Sequence, residues 1–200
     1  MQLDTDLSGL FGITLAIVAL LARLPQVKAL PPRQRGVALG AAIIVVSIPL
    51  WGVSAAGFVR GMTGDLSITT LFLLTLSLMR SFSNRITAGD ENRLAALLVI
   101  LITAALFYPL ALGLGMFDPY RLGYGNLWFM AALLVLAVWS SLRYSTLLAT
   151  CIALAVAAWA AGWYESPNLW DYLLDPWLAL YAFAVWMKIW LARLKGRMNA

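Results

Sequence analysis

Residues 60–79 read RGMTGDLSITTLFLLTLSLM, and this stretch decides how the fold is interpreted. Its uncharged apolar part, Leu66–Met79, has 14 residues, and a helix of that length is roughly 21 Å long. The hydrocarbon core of a bilayer is about 30 Å thick and requires about 20 helical residues. If the chain crosses a membrane, this helix is therefore unusually short, or the Gly-rich turn at 57–64 dips towards the bilayer.

Arg60 and Asp65 belong to this turn and its exit. In a dipping turn both would lie below the lipid headgroups, where an ionisable side chain is costly and needs a partner. Two interpretations are open. The two side chains form an ion pair, or Asp65 is only the N-cap of the next helix, since Asp-Leu-Ser before an apolar run is an ordinary helix start.

The composition is that of an integral membrane protein. The 200 residues are 62% hydrophobic and 12% charged, and the mean hydropathy is +0.86, whereas a soluble domain of this size carries far more surface charge. The formal net charge of +5 does not indicate nucleic-acid binding, because the basic residues lie in short loops between apolar runs. We expect the lipid bilayer as a partner and no nucleic acid.

Histidine is absent, and cysteine occurs once, as Cys151. The absence of histidine excludes histidine-ligated haem, most zinc and di-iron sites and Ser-His hydrolase chemistry. We therefore expect no metal and no cofactor. Cys151 lies within an apolar run and is expected to be a small buried residue.

Seven apolar segments follow one another along the chain. They cover residues 7–24, 37–59, 65–79, 94–115, 127–142, 146–164 and 174–192. If the N-terminus is outside, Arg60 and Arg121 are the only two of the 14 basic residues on the outer side, as the positive-inside rule requires. The pattern predicts an all-α integral membrane protein with seven transmembrane helices, N-out and C-in, in one domain over 1–200.

The loops between these segments are short, and the chain shows no organelle signal. We expect a multi-pass protein of the cytoplasmic (inner) membrane of a bacterium, with a cell-envelope protein or a second copy of the chain as a possible partner. Pro49 and Pro109 interrupt the second and fourth segments and are expected to kink them. Gly36 and Gly40 have the four-residue spacing that allows close helix contact.

Polar side chains that could bind a ligand cluster on the predicted outer face. Two arginines among acidic residues could bind a lipid headgroup or an anionic solute, but each cluster is also compatible with a solvated loop. In that second interpretation Asn168 and Asp175 are helix caps, and Asp118 with Arg121 is a surface ion pair. The candidate binding set is Arg60, Asp65, Asp118, Tyr120, Arg121, Tyr124, Asn126, Glu165, Asn168 and Asp171.

A catalytic constellation is not evident. Residues 62–65, MTGD, resemble the Gly-x-Gly-Asp signature of aspartyl intramembrane proteases, but Met62 replaces the first glycine and the spans contain no second aspartate. Such enzymes need two facing carboxylates. We assign no catalytic residue and leave enzymatic activity open.

The order of the helices carries a resemblance to a known family. The segments within 7–79 and 127–192 form two three-helix units joined by the linker helix 94–115, and Pro25-Gln26 ends the first helix. This three-plus-one-plus-three arrangement is similar to the PQ-loop and SWEET transporters. The resemblance implies that Pro25 and Gln26 act as a hinge and that a solute binds between the units.

Two departures from that family restrict what the resemblance implies. The second unit has Trp139-Ser140-Ser141 where another Pro-Gln pair is expected. The third helix has Thr69 and Thr70 near the place where sugar-transporting members often have asparagine. A sugar is therefore not implied as the substrate.

The first functional expectation is a facilitative transporter of a small polar solute, with Pro25, Pro49 and Pro109 permitting movement. It predicts a polar cavity near the midplane, lined by Trp51, Ser54, Thr69, Thr70 and Trp159. One alternative is a membrane-embedded accessory or scaffold subunit of a cell-envelope complex, with a solid core. Another is an enzyme that modifies lipid headgroups through Arg60, Asp65, Asp118 and Arg121.

Overall fold

The computed structural model describes residues 2–50, 52–82, 90–143 and 146–198, and these residues are mostly helical. Within them a two-stranded hairpin and one 3-10 helix, Pro119–Gly123, interrupt the helices. The ten α-helices of this part of the chain are α1 (Gln2–Leu21), α2 (Pro25–Lys28), α3 (Pro32–Ser47), α4 (Ala55–Thr63), α5 (Ile68–Phe82), α6 (Asp90–Ala111), α7 (Leu127–Leu142), α8 (Thr146–Ala160), α9 (Trp170–Leu173) and α10 (Pro176–Met198).

The long helices follow the apolar segments of the sequence. Helices α1, α3, α5, α6, α7, α8 and α10 each have at least 15 residues, and each overlaps one predicted segment. The all-α class is therefore confirmed. Among the described residues, two helices, Glu91–Ala111 and Pro176–Gly196, are long and apolar enough to cross a membrane, and the other apolar helices that were found are shorter. The seven-span topology stays a prediction.

The second predicted segment, 37–59, is not one kinked helix, and here the prediction is wrong. Helix α3 ends at Ser47, and a hairpin follows, with β1 (Pro49–Leu50) paired antiparallel to β2 (Val53–Ser54). Pro49 lacks the N–H that would continue a helix, and Gly52 has a φ of +88° in the turn, a conformation that favours glycine. Trp51, between them, lies outside the described residues.

Helix packing divides the bundle into neighbouring groups. Helix α1 packs against α3, α4 and α5, α5 packs against α8, and α8 packs against α7. Helix α10 packs mainly on α6, the helix that the repeat interpretation treats as a linker.

Two hydrogen bonds between distant segments define the two ends of the bundle. A hydrogen bond of 2.9 Å from Ser8 Oγ to the Trp163 carbonyl joins the start of α1 to the loop after α8, and we call this the acidic end. At the other end, Arg23 Nη2 donates to Ser77 Oγ over 3.0 Å, joining the exit of α1 to the second half of α5. We call this the basic end.

Candidate functional site

Arg60 and Asp65 form an ion pair at the acidic end. Arg60 Nε donates to Asp65 Oδ1 at 2.7 Å and Nη2 donates to Asp65 Oδ2 at 3.2 Å, which is a bidentate contact. Arg60 Nη1 also donates to Asp6 Oδ1 at 2.8 Å. The hydrogen bonds with Asp65 raise the pKa of Arg60 above its usual value, ahead of the smaller effect of Asp6. The ion-pair interpretation is therefore correct.

The N-cap of α5 is Ser67 and not Asp65. Ser67 Oγ accepts a hydrogen bond from Thr70 N at 3.2 Å, the geometry of a side-chain N-cap. Asp65 is two residues too early in the chain, because residues 64–67 are non-helical and α5 begins only at Ile68. The carboxylate of Asp65 is consequently available to Arg60.

A buried carboxylate holds this non-helical segment. Asp175 is 4% exposed and Ser67 is fully buried. Asp175 Oδ2 accepts from Ser67 N at 2.9 Å, from Ser67 Oγ at 2.7 Å and from Thr70 Oγ1, and Oδ1 accepts from Leu178 N at 2.8 Å. Four donors offset the cost of burying a charged group. We call Ser67, Thr70 and Asp175 the junction.

Two tyrosines support the same segment from the loop after α8. Tyr164 OH donates to the Leu66 carbonyl at 2.7 Å, and Tyr172 OH donates to the Tyr164 carbonyl at 3.1 Å. Both tyrosines are buried, and neither belongs to the candidate binding set that the sequence provides.

Asn168, which is fully buried, forms hydrogen bonds that connect the loops at the acidic end. Asn168 Nδ2 donates to the Tyr120 carbonyl at 2.9 Å, and Asn168 Oδ1 accepts from Trp170 N at 3.0 Å. Tyr120 OH donates to Asp171 Oδ2 at 3.0 Å. A β-carbon at Gly123 would overlap the Asn168 amide, so the chain needs glycine there. Asn168 and Asp171 thus tie the two loops to each other.

The other members of the predicted outer set have simpler positions. Asp118 accepts from Tyr120 N at 2.9 Å and caps the 3-10 helix, and Asn126 accepts from Trp128 N at 3.0 Å and caps α7. Arg121, Tyr124 and Glu165 are exposed. Neither of these caps was predicted, since the sequence offered Asp118 as an ion-pair partner of Arg121 and Asn126 only as a candidate binding residue. The predicted cap at Asp175 is confirmed, because its Oδ1 accepts from Leu178 N at 2.8 Å at the start of α10.

A pocket of about 530 Å³ lies among these loops. Four carboxylates line it: Asp65, Asp118, Asp171 and Asp175. Aromatic side chains, including Tyr120 and Trp170, form other parts of its wall. We call it the acidic pocket. Neither Arg60 nor Arg121 is among its lining residues, and Arg60 is connected to it through the ion pair with Asp65. The headgroup-enzyme hypothesis stays a prediction.

A second cavity, of about 420 Å³, opens among α1, α4, α5, α6 and α10, with Leu147 of α8 also in its wall. Its walls are mostly apolar, with Ile17, Leu73 and Leu97 as examples. Five polar or charged residues of the lining belong to the basic end: Arg23, Ser77, Arg80, Arg93 and Tyr181. We call it the basic cavity. The sequence predicts a polar cavity, whereas the wall of this one is mostly apolar. Thr70 is the predicted cavity residue that it contains.

The junction separates the acidic pocket from the basic cavity. Thr70 lines the basic cavity and Asp175 lines the acidic pocket, and the hydrogen bond from Thr70 Oγ1 to Asp175 Oδ2 joins the two walls. Leu174 and Leu178, on either side of Asp175, line the pocket and the cavity respectively. One turn of chain around a buried carboxylate is therefore all that lies between them at this point.

The predicted cavity residues are dispersed. Thr70 lines the basic cavity, whereas Thr69 is buried in the packing of α5. Ser54 caps α4 by accepting from Gly57 N at 3.0 Å, and Trp159 Nε1 donates to the Pro167 carbonyl at 2.8 Å. Trp51 lies outside the described residues.

The predicted hinge prolines occupy three different settings. Pro25 and Gln26 are exposed on the short helix α2, whose Val27 carbonyl accepts from Arg35 Nε at 3.2 Å. Pro49 begins the hairpin. Pro109 lies inside α6, which continues for two more residues.

Sequence reasoning missed the basic cavity and one of the three junction residues, Ser67. Arg23, Arg80 and Arg93 were interpreted only as signals of orientation, although each follows or opens an apolar helix at the same end. That recurrence was the available signal for the cavity. Ser67 had no comparable signal, because a serine before an apolar run is common.

Comparison with known proteins provides no relative for this chain. No protein-family model, no curated protein and no solved structure matches it.

Proposed function

We propose that this chain is a seven-helix membrane protein, N-out and C-in, that works as a facilitative transporter of a small solute. Burial supports the membrane assignment. The apolar window of Pro176–Gly196 is 11% buried and that of Glu91–Ala111 is 28% buried, whereas the core helix of a soluble protein would be mostly buried. Large exposed apolar surfaces need another apolar phase to cover them.

Two further helices present similar surfaces. On α3, Ile44 is 62% exposed and Val45 is 67% exposed, and on α7, Leu134 and Val135 are 65% and 68% exposed. Neighbouring exposed apolar residues on one helix are expected where lipid, rather than water, surrounds it. The basic end would then face inside, following the positive-inside rule.

The observation that carries the transport proposal is the position of the junction. The acidic pocket would open outside and the basic cavity inside, and the hydrogen bonds of Asp175 with Ser67 and Thr70 are the contact between them. Breaking and remaking these few bonds would expose a solute to one side and then the other. Irregular backbone at such a depth is tolerated where it is buried in protein or lines a cavity.

Cysteine accessibility tests this proposal without knowledge of the solute. We would replace the single native cysteine (Cys151→Ala) and introduce Leu74→Cys, in the basic cavity, in oriented proteoliposomes. A membrane-impermeant thiol reagent should label Leu74→Cys from the inside and, more slowly, from the outside. Arg33→Cys, exposed at the basic end, should be labelled from the inside only, and Leu134→Cys, on the lipid-facing surface, from neither side.

Labelling of Leu74→Cys from the inside only would overturn the transport proposal. A bundle that never opens at the junction is a static structure. In that case the accessory-subunit function becomes the better one.

One observation favours the accessory function as the second candidate. The loop between α6 and the 3-10 helix exposes apolar side chains at the acidic end, with Leu112 and Leu114 each 80% exposed and Phe117 55% exposed. Exposed apolar patches of this kind mark interaction surfaces. An accessory subunit would co-purify with a larger envelope protein, and Leu114→Asp would release that partner while leaving the labelling pattern of Leu74→Cys unchanged.

A further inference from the structure

The basic cavity combines two features that one class of ligand satisfies together. We propose that it binds an anionic amphiphile, with a phosphate or carboxylate head at the arginines and an apolar tail along the wall. The proposal gives the class of ligand for the cavity that the proposed transport function uses. It rests on that function only for the statement that the ligand is transported. Binding itself requires the cavity alone.

The head site is built around Tyr181. Arg93 Nη2 hydrogen-bonds to Tyr181 OH, and the guanidinium carbons of Arg23 and Arg93 lie 6.0 Å and 5.9 Å from the centre of the Tyr181 ring. The ring therefore holds two cations at one end of the cavity, in cation–π geometry. A guanidinium group has five N–H donors, and the contacts that the described residues Tyr181 and Ser77 make with these arginines are through neutral hydroxyls.

The charges in the lining have one sign. Arg23, Arg80 and Arg93 line the cavity, and among its described lining residues there is no aspartate or glutamate. Arginine binds phosphate and carboxylate groups through paired N–H donors. Basic pockets between helices on the cytoplasmic side of a membrane are typical binding places for anionic lipid headgroups.

The remainder of the cavity suits a hydrocarbon tail. From Ser77, beside Arg23, to Thr70 at the junction is two turns of α5, or about 10 Å. Along this distance the wall is formed by side chains such as Ile17, Leu73 and Leu74. Burial of methylene groups against this wall is favourable, so the tail and the head contribute to binding at opposite ends of one site. A sugar would leave its hydroxyls unpaired against this wall.

Dodecyl phosphate is the probe that tests the proposal. We would measure its binding by equilibrium dialysis to the full chain in phosphatidylcholine nanodiscs, with empty discs subtracted. Saturable binding is expected, and both Arg23→Gln and Arg93→Gln should weaken it at least tenfold. Arg33→Gln is the matched control, because Arg33 is exposed at the same end and does not line the cavity; its affinity should change less than twofold.

Leu74→Trp provides a second variant that keeps every arginine. The larger ring fills the tail region and should abolish binding. Labelling of Cys151 by a thiol-reactive dye during heating shows whether each variant is folded, since this thiol is buried in the native chain.

Three results would overturn the proposal. Equal weakening by Arg33→Gln would show a general surface-charge effect. Equal competition by dodecyl maltoside, a neutral amphiphile, would show apolar partitioning only. Equal affinity for inorganic phosphate would show an ion site without a tail site.

Doping the discs with phosphatidic acid distinguishes the two natural sources of the ligand. Displacement of dodecyl phosphate would identify a bilayer lipid, and undiminished binding would identify a free single-chain amphiphile. Failure of this proposal is separate from failure of the transport proposal. Labelling of Leu74→Cys from both sides does not require dodecyl phosphate to bind, and binding does not require the junction to open.

Discussion

Replacing the buried carboxylate of the junction by an amide, Asp175→Asn, should destabilise the protein strongly. The two side chains have nearly the same shape, so packing is preserved and hydrogen bonding is what changes. Asp175 accepts from two backbone N–H groups, of Ser67 and Leu178, and from two hydroxyls. An asparagine has only one oxygen to offer to these donors.

The size of the effect follows from the better of the two amide orientations. The amide oxygen would face Ser67 and Thr70, and the NH₂ group would then oppose the N–H of Leu178. Leaving one buried donor unsatisfied costs about 1–3 kcal/mol. The three remaining hydrogen bonds become neutral and are weaker than charge-assisted ones. We expect a loss of about 2–4 kcal/mol in total, or about 5–15 °C in melting temperature for a chain of this size.

Cys151 provides the assay. It is the single cysteine of the chain and is 1% exposed, so a thiol-reactive dye reports unfolding during a temperature ramp in detergent. Asp118→Asn is the matched control with the same chemical change. Asp118 caps the 3-10 helix through one hydrogen bond, and asparagine caps as well as aspartate, so its melting temperature should move by less than about 2 °C.

Equal melting temperatures for Asp175→Asn and Asp118→Asn would refute the reasoning. Such a result would mean that the carboxylate of Asp175 is hydrated or differently bonded, and that the junction does not separate the acidic pocket from the basic cavity.

Three further predictions concern stability, and the first two use the same thiol assay. Gly9→Ala should lower the melting temperature and Gly36→Ala should not, because a β-carbon at Gly9 overlaps the Arg60–Asp65 pair and one at Gly36 meets nothing within 4 Å. Arg60→Lys should cost about 0.2–1 kcal/mol, the range for partly exposed ion pairs, since an ammonium group cannot make the bidentate contact; no change would contradict the ion pair. Burial raises the pKa of Tyr120 above 10.0. The contribution of Tyr120 to the free energy of unfolding should therefore be fully present below about pH 10 and decrease above it, because the tyrosine ionises first in the unfolded chain. Melting curves against pH, with tyrosinate absorbance, test this.

The helical class and the positions of the long helices could be predicted because hydropathy acts locally. Residues 127–142 were predicted as one helix and α7 has those bounds. The break after Ser47 was missed because Pro49 indicates a kink and a break equally, and the hairpin depends on pairing between Pro49 and Ser54. Spacing was also misleading at Gly36 and Gly40, where a β-carbon would meet nothing within 4 Å.

The candidate sites were only partly predictable, because they combine charges from distant segments. The Arg60–Asp65 pair is five residues apart and was anticipated. In the basic cavity Arg23 and Arg93 lie beside Tyr181. Along the chain Arg23 is 158 residues and Arg93 is 88 residues from Tyr181. In the sequence these arginines satisfy the positive-inside rule completely, so nothing local indicated a second role.

The short helix α5 shows most clearly why sequence reasoning stops where it does. Its 15 residues make roughly 22 Å of helix, and the segment before it is non-helical at 64–67, so its backbone groups need partners from elsewhere. Those partners are Asp175 for the Ser67 N–H and Tyr164 for the Leu66 carbonyl, both about a hundred residues later. The sequence around α5 thus shows that backbone groups lack hydrogen-bond partners, but the partners are residues far away along the chain. If the transport proposal is correct, the same remote bonds are the ones that must open.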